Sequence, residues 1–252
     1  MPIDKKNYIR NYSIGLRKAD FYRKLVNKFF EISPIIKREL KEKGLDVNKT
    51  ADLTPPNISE NCYYYISLLN YIFNIDRSFI LLYQIRVFLK YPNLNHKYLE
   101  YGISKKRFIQ YHCSNHSLIL ISIFDQLLEL VNKTFRLGIS PKFNTNNIIL
   151  RNKWIKLNDI DTVLKDIKNN IQPLRTDSNL YRHLGQLRKL DNIFKKDKQD
   201  LEFIKIFPFG NKALVELEKD EKFMYESTLK LLSKLDEVYK KWDRIIENNN
   251  WY

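Results

Sequence analysis

A stretch between positions 171 and 185 holds the side chains that cleavage of RNA without a metal ion requires: Arg175, Asn179, Arg182 and His183. Such cleavage needs a base for the ribose 2′-hydroxyl proton, an acid for the leaving 5′-oxygen and a cation for the phosphorane. Histidine transfers protons near neutral pH, and arginine offers phosphate a permanent charge in a planar fork. One histidine supplies one of the two proton-transfer groups, and two sites brought together across a homodimer would supply the second.

The same four residues also fit an ordinary basic helix, in which His183 caps an end or packs against its neighbours. They lie within about three helical turns, a spacing that both interpretations allow. Composition alone favours the plainer one. The catalytic interpretation therefore depends on the elements that position these residues.

A second cluster, His112-Cys113-x-x-His116, has the spacing of two ligands on one helix face. It could hold zinc with Cys62 as a distant ligand, but structural zinc sites usually show two clustered ligand pairs. Cys113 leads into an apolar helix, where cysteines are commonly buried and inert. We expect neither a metal nor a cysteine nucleophile here.

Other catalytic motifs are missing from the sequence, which has no glycine-rich phosphate loop, nucleophile elbow or HExxH helix. Asp159 and Asp161 stand at a predicted helix start, where carboxylates complement the helix dipole. Glu218, Asp220 and Glu221 are predicted to lie on a solvated helix face. We therefore expect no cofactor.

The net charge of +15 suggests a polyanionic partner, although the abundance of Lys, Asn, Ile and Tyr also reflects an AT-rich genome. The excess is regional, which codon bias alone does not explain. Residues 1–49 have a net charge of +7, 101–156 of +7, 175–199 of +4 and 211–252 of −1. Nucleic acid, above all RNA, is the expected partner.

The basic residues predicted to bind nucleic acid share these positive regions. They are Arg10, Arg17, Arg23, Lys105, Lys106, Arg107 and Arg188. Aromatic residues such as Tyr8, Tyr12 and Tyr22 alternate with the first three and could stack on bases. The plainer interpretation is that these aromatic residues cover the core.

Apolar residues recur at helical spacing almost throughout, which predicts an all-α up-and-down bundle. The predicted helices run from about Ile14 to Lys43 before Gly44, from Ser59 to Lys90, from Ser104 to Phe135 before Gly138, from after Asn158 to before Pro173, from Leu180 to Lys196, and over a long segment after Gly210. The segment from Ile139 to Trp154 is predicted to be a loop. The predicted division is 1–56, 57–200 and 201–252, with the last segment part of the same domain.

Several classes are excluded by composition. Six glycines and eight prolines argue against a β-sandwich, and two cysteines argue against a disulfide scaffold and for a cytoplasmic protein. No apolar run approaches the ~18 residues of a membrane span, so no membrane association is expected. In the last helix, a seam with 4-3-4-3 spacing (Leu231, Leu235, Val238, Trp242, Ile245) predicts packing against a helix of this chain or of a partner. A plain helical interaction subunit is therefore a further possible function.

The segment from Phe124 to Gly138 is similar to the long-helix signature of bacterial HEPN-domain proteins, in which an acidic residue and an asparagine precede a loop. From about 57 to 185 the order of parts also matches: a tyrosine-rich helix, this signature, a loop, a helix and an Arg-Asn-x-x-x-His element. The resemblance implies an all-α homodimer, often a metal-independent ribonuclease that acts as a toxin or antiviral effector. It also allows a neutralising or regulatory protein partner.

Within the resemblance, His183 falls on the family histidine and Asn179 on the polar residue four positions before it. Ser178 occupies the position of the motif arginine, so Arg175 and Arg182 are the substitutes. Arg175 is expected to reach the site if the chain before Leu180 is not helical. The alternative is a catalytically degenerate HEPN-like module that binds nucleic acid or protein without turnover.

Overall fold

A computed structural model describes residues 15–46, 53–90, 105–140, 145–184 and 211–248, without the side chains at 105–107, 110, 145, 177–184, 211–213 and 242–248. The helices are α1 Asp20–Glu42, α2 Glu60–Lys90, α3 Lys105–Thr134, α4 Thr145–Arg151, α5 Lys153–Leu157, α6 Ile160–Leu184 and α7 Asn211–Asn248. The described residues contain no strand, and the predicted all-α helical bundle is confirmed. In these same ranges, no helix combines the length and apolar character needed to cross a bilayer.

Helix α2 lies at the centre of the bundle, as its nearly continuous apolar sequence predicts. It packs against α1, α3 and α7. Every residue from 64 to 69 is buried, and Ile72, Ile75, Phe79 and Leu82 are fully enclosed. Helices α1, α3, α6 and α7 contribute to the same core, while the boundaries at 56 and 200 stay a prediction.

Helix α1 ends where the sequence predicts. Gly44 adopts a φ of 69°, its N–H donates to the Lys41 carbonyl, and the Leu45 N–H donates to the Leu40 carbonyl. This is a Schellman motif with glycine in the left-handed position. The start differs, because residues 15–18 form a helical turn that breaks at Ala19 before α1 begins.

Helix α3 ends before the predicted glycine. Arg136 takes the left-handed position with a φ of 51°, and the Leu137 N–H donates to the Asn132 carbonyl. The Asn132 side chain then fixes the following chain, because its amide donates to the Ile139 carbonyl at 2.7 Å and accepts from the Ile139 N–H at 3.2 Å. The asparagine of the signature segment therefore anchors the exit from α3.

The predicted loop from Ile139 to Trp154 is wrong, since α4 and the start of α5 occupy much of it. Ile149, Leu150 and Ile155 are buried, and this burial stabilises two short helices that the neighbouring asparagines alone would not predict. The Asn152 side chain caps α5 by accepting from the Trp154 N–H at 2.9 Å.

The predicted helix end before Pro173 is also wrong. Helix α6 runs through Pro173 to Leu184, so no new helix begins at Leu180. A proline removes one backbone hydrogen bond, here to the carbonyl of residue 169, and Pro173 itself is exposed. Burial of Ile171 and Leu174 on either side holds the helix together. Residues 185–196 lie outside the described part.

The seam of α7 packs inside this chain. Leu231, Leu235 and Val238 are buried in the main core, while the Trp242 and Ile245 side chains lie outside the described part. Tyr239 continues the contact, with its ring 5.7 Å from Phe21, edge to face. For the three described seam residues, the partner is therefore the bundle itself.

A buried carboxylate ties α7 to α1 and predicts acid sensitivity. Asp236 accepts from Lys24 at 2.6 Å and lies 2.8 Å from Lys240. Burial raises its pKa, but the two lysines outweigh burial and hold the pKa below the ordinary 3.8. The ionised Asp236 carboxylate therefore stabilises the fold above pH 3.8, its ordinary pKa. This stabilisation is lost as the pH falls through the lower pKa that Asp236 has in the folded protein.

We expect Asp236→Asn to lower the free energy of unfolding by about 1–3 kcal/mol at pH 7, because two lysines lose their charged acceptor. The difference from the parent should vanish in acid. Urea unfolding at several pH values measures it. Asp20→Asn, which removes an exposed pair with Arg23 in the first turn of α1, should change stability by less than about 1 kcal/mol. Equal effects of the two substitutions would contradict the assignment.

Candidate functional site

The unbroken α6 places the four predicted catalytic residues on one side of a single helix. At about 100° per residue, the positions of Arg175, Asn179, Arg182 and His183 fall within an arc of about 100°. They span about 12 Å along the axis. The backbone is described at all four positions, and of the side chains only that of Arg175 is described.

Helical geometry before Leu180 changes the expected role of Arg175. Arg175 was expected to reach His183 of the same chain only if the chain before Leu180 is not helical. The chain is helical there, so the two residues lie eight positions apart on one continuous helix. Asn179 stands midway, four positions from each. The result is a ridge rather than a compact cluster.

The Arg175 side chain has defined partners on α3. Its Nη2 lies 2.6 Å from the Asp125 carboxylate, and its guanidinium carbon stands 5.4 Å from the centroid of the Phe124 ring. Desolvation raises the pKa of Asp125 above its ordinary value, and the guanidinium only partly opposes that rise. The signature segment of α3 therefore positions Arg175 at the α3–α6 contact, through an ion pair whose carboxylate is exposed to solvent.

The predicted nucleic-acid-binding arginines with described side chains are both in ion pairs. Arg17 Nη2 lies 3.0 Å from the buried carboxylate of Asp76, and Arg23 pairs with Asp20 one turn away. The Arg10 and Arg188 positions, and the side chains of Lys105, Lys106 and Arg107, lie outside the described part. Their roles in binding stay a prediction.

A buried charge cluster joins α2, α3 and α7, and the sequence did not predict it. Arg86 Nε lies 2.7 Å from Glu221 Oε2, and Arg86 Nη1 lies 2.9 Å from Glu218. His116 Nε2 stands 3.8 Å from the same Glu221 oxygen, and both His116 and Glu221 are 0% exposed. The predicted solvation of Glu221 is therefore wrong. Burial of Glu221 and His116 suits a structural rather than a catalytic role, while Glu218 lies at the exposed end of the cluster.

The residues of the candidate zinc site lie in different parts of the structure. His112 lies among the rings of Phe88, Phe108 and Tyr111, and burial lowers its pKa. Cys113 belongs to a small separate core, whereas Cys62 belongs to the main one. Over the residues that the structure describes, no three His, Cys, Asp or Glu side chains come together as a metal-binding group.

The fold and the signature segment define a HEPN-like helical bundle: a central tyrosine-rich α2, a long α3 that ends at the Asn132 clamp, and the α6 ridge. Residues 64–206 match the model of the Cthe2314-like HEPN family, and the chain belongs to this family. The match spans more than half of the chain and confirms the resemblance inferred from Phe124 to Gly138. No curated protein and no solved structure matches the chain.

Proposed function

We propose that this protein is a HEPN-type ribonuclease that cleaves RNA without a metal ion through a site shared by two copies. The observation that supports this most is the continuous α6, which aligns the positions of Arg175, Asn179, Arg182 and His183 on one side. Family membership supports a module that acts on nucleotides or RNA. The basic excess of residues 175–199 fits a polyanionic substrate.

In this proposal, His183 of one chain takes the ribose 2′-hydroxyl proton and His183 of the other protonates the leaving 5′-oxygen. Asn179 orients the phosphate one helical turn away. Arg182 and, from the other copy, Arg175 stabilise the charge that develops on the phosphorane, because Arg175 does not reach His183 of its own chain. Arg175 would exchange Asp125 for a phosphate oxygen, because solvent screens an ion pair whose carboxylate is 59% exposed.

The cellular role that follows is a cytoplasmic toxin or antiviral effector, kept inactive by a neutralising or regulatory protein until needed. Its homodimer would bring two α6 ridges together. These are proposals drawn from the family.

A second candidate function, binding of RNA without turnover, is favoured by one specific observation. The position of the motif arginine holds Ser178, and the substitute Arg175 is engaged by Asp125 on α3. A ridge with serine in the position of the motif arginine would still attract RNA through its charge. It would bind with strong salt dependence and leave the strand intact.

Incubation of the purified protein with RNA in the presence of EDTA distinguishes the two functions. We expect cleavage with 2′,3′-cyclic phosphate ends, because the 2′-hydroxyl is the nucleophile. A requirement for magnesium, or products without cyclic ends, would contradict the ribonuclease assignment. Tight binding that weakens steeply with salt, with no cleavage at any RNA concentration, would favour the binding module.

A further inference from the structure

A basic pocket lies between α4, α5 and the first half of α6, away from the residues that the sequence singles out. Its volume is about 360 Å³. Its polar lining consists of four cations and two amides: Arg151, Lys156, Lys165, Lys168, Asn147 and Asn169. Four positive side chains around one concavity repel each other, so the arrangement favours an anion between them.

Most of this positive charge is not neutralised by the protein. Lys165 pairs with Asp161 at 2.7 Å, and Lys168 donates to the Asn147 amide oxygen at 3.2 Å. Within the described ranges, Arg151, Lys156 and Lys168 have no carboxylate partner. The charges of Arg17 and Arg23, by contrast, are already paired with carboxylates. The three pocket cations are therefore better placed to bind phosphate.

The pocket is aligned with the proposed catalytic ridge. Lys165 and His183 are 18 positions apart on α6, which is five turns, so they share one side of the helix about 27 Å apart. Gln172 and Thr176 are exposed between them. The carboxylates of this interval, Asp166 and Asp177, lie about 100° or more away from the row.

We propose that this pocket binds the phosphate backbone of a single RNA strand several nucleotides from the point of cleavage and directs the strand along α6 to His183. The inference rests on the proposed function for its substrate class. A positive concavity followed by a polar row suits single-stranded RNA, because a flexible strand can follow one helix face with its backbone in the charged groove. The pocket would supply affinity, and the ridge would supply chemistry.

The test uses the full chain with His183→Ala as background, so that the RNA stays intact. The pocket variant adds Arg151→Gln, Lys156→Gln and Lys168→Gln. The control variant adds Lys37→Gln, Lys41→Gln and Arg77→Gln, three exposed cations that remove the same charge elsewhere. Fluorescence anisotropy with a labelled single-stranded RNA of about 12 nucleotides measures affinity over a range of salt concentrations.

We expect the pocket variant to bind at least about tenfold more weakly at low salt, and its salt slope to fall by about 2, since three phosphate contacts are lost. The control should stay within about threefold of the background. Equal weakening in both variants, or none in the pocket variant, would overturn the pocket assignment. Tighter binding of a DNA duplex than of the RNA strand would overturn the proposed ligand.

The outcome is separable from that of the ribonuclease proposal. If the parent protein binds RNA through the pocket but never cleaves it, the pocket proposal stands and the ribonuclease proposal is refuted. Cleavage by the parent, together with normal binding by the pocket variant, would refute the pocket alone. Thermal unfolding by circular dichroism verifies that every variant is folded.

Discussion

Replacement of Arg86 by leucine should destabilise the protein by about 3–5 kcal/mol, because it leaves the carboxylate of Glu221 buried without its cation. Glu221 is 0% exposed, and the Nε2 atom of His116 lies 3.8 Å from its carboxylate. An uncompensated charge in the interior costs more than the ion pair contributes. The expected fall in Tm is about 10 °C or more, measured by calorimetry.

The double variant Arg86→Leu with Glu221→Leu tests the cause. Substitution of both partners by apolar groups removes the unpaired charge, so most of the lost stability should return. Glu218→Gln, at the exposed end of the same cluster, should cost less than about 1 kcal/mol. A double variant as unstable as Arg86→Leu alone would show that packing of the arginine stem, rather than charge, is what matters.

The burial of Glu221 in this cluster could have been predicted from the apolar spacing of α7. The 4-3-4-3 spacing predicts a buried seam on α7 from Leu231 onwards, and the seam residues with described side chains are buried. Continued backwards with the same spacing, it passes through Thr228, Met224 and Glu221, all 0% exposed. The signal for a buried carboxylate was therefore present in the spacing. The charge of Glu221 nevertheless predicted solvent exposure, because most glutamates on helices are solvated.

Helix ends were predictable where one residue type dominates the physics. Gly44 ends α1 in the left-handed conformation that glycine adopts at little cost. At the end of α3 the same conformation falls on Arg136, and nothing in the residue type predicts it. The bond network from Asn132 to Ile139 enforces that ending, and such tertiary contacts are not visible in local sequence.

The candidate site was predictable in composition but not in geometry. Family resemblance and residue chemistry singled out Asn179 and His183, yet Pro173 suggested a broken helix. Core packing of Ile171 and Leu174 keeps α6 continuous and converts the motif into a ridge. The basic pocket was missed because its lining residues come from α4, α5 and α6, and the predicted loop covered α4 and the start of α5.

His183→Ala should lower the rate of RNA cleavage by about 10²–10⁴-fold, the usual contribution of a proton-transfer group. Gel analysis of RNA cleaved in EDTA measures the rate, and anisotropy should show RNA affinity changed far less, because the cations are retained. His112→Gln is the matched control, since His112 lies on α3 between the rings of Phe88 and Phe108. Cleavage that survives His183→Ala would refute the proposed chemistry.

Mixing the parent with an equal amount of His183→Ala protein tests whether two chains share the site. If each reaction uses a histidine from both chains, a mixed dimer is inactive. Activity of an equal mixture should then fall to about a quarter of that of the same total amount of parent, the fraction of dimers with two intact copies. A fall to only about a half would mean that each chain acts independently. In that case the two-histidine mechanism would be wrong, and a second proton-transfer group would have to come from the same chain.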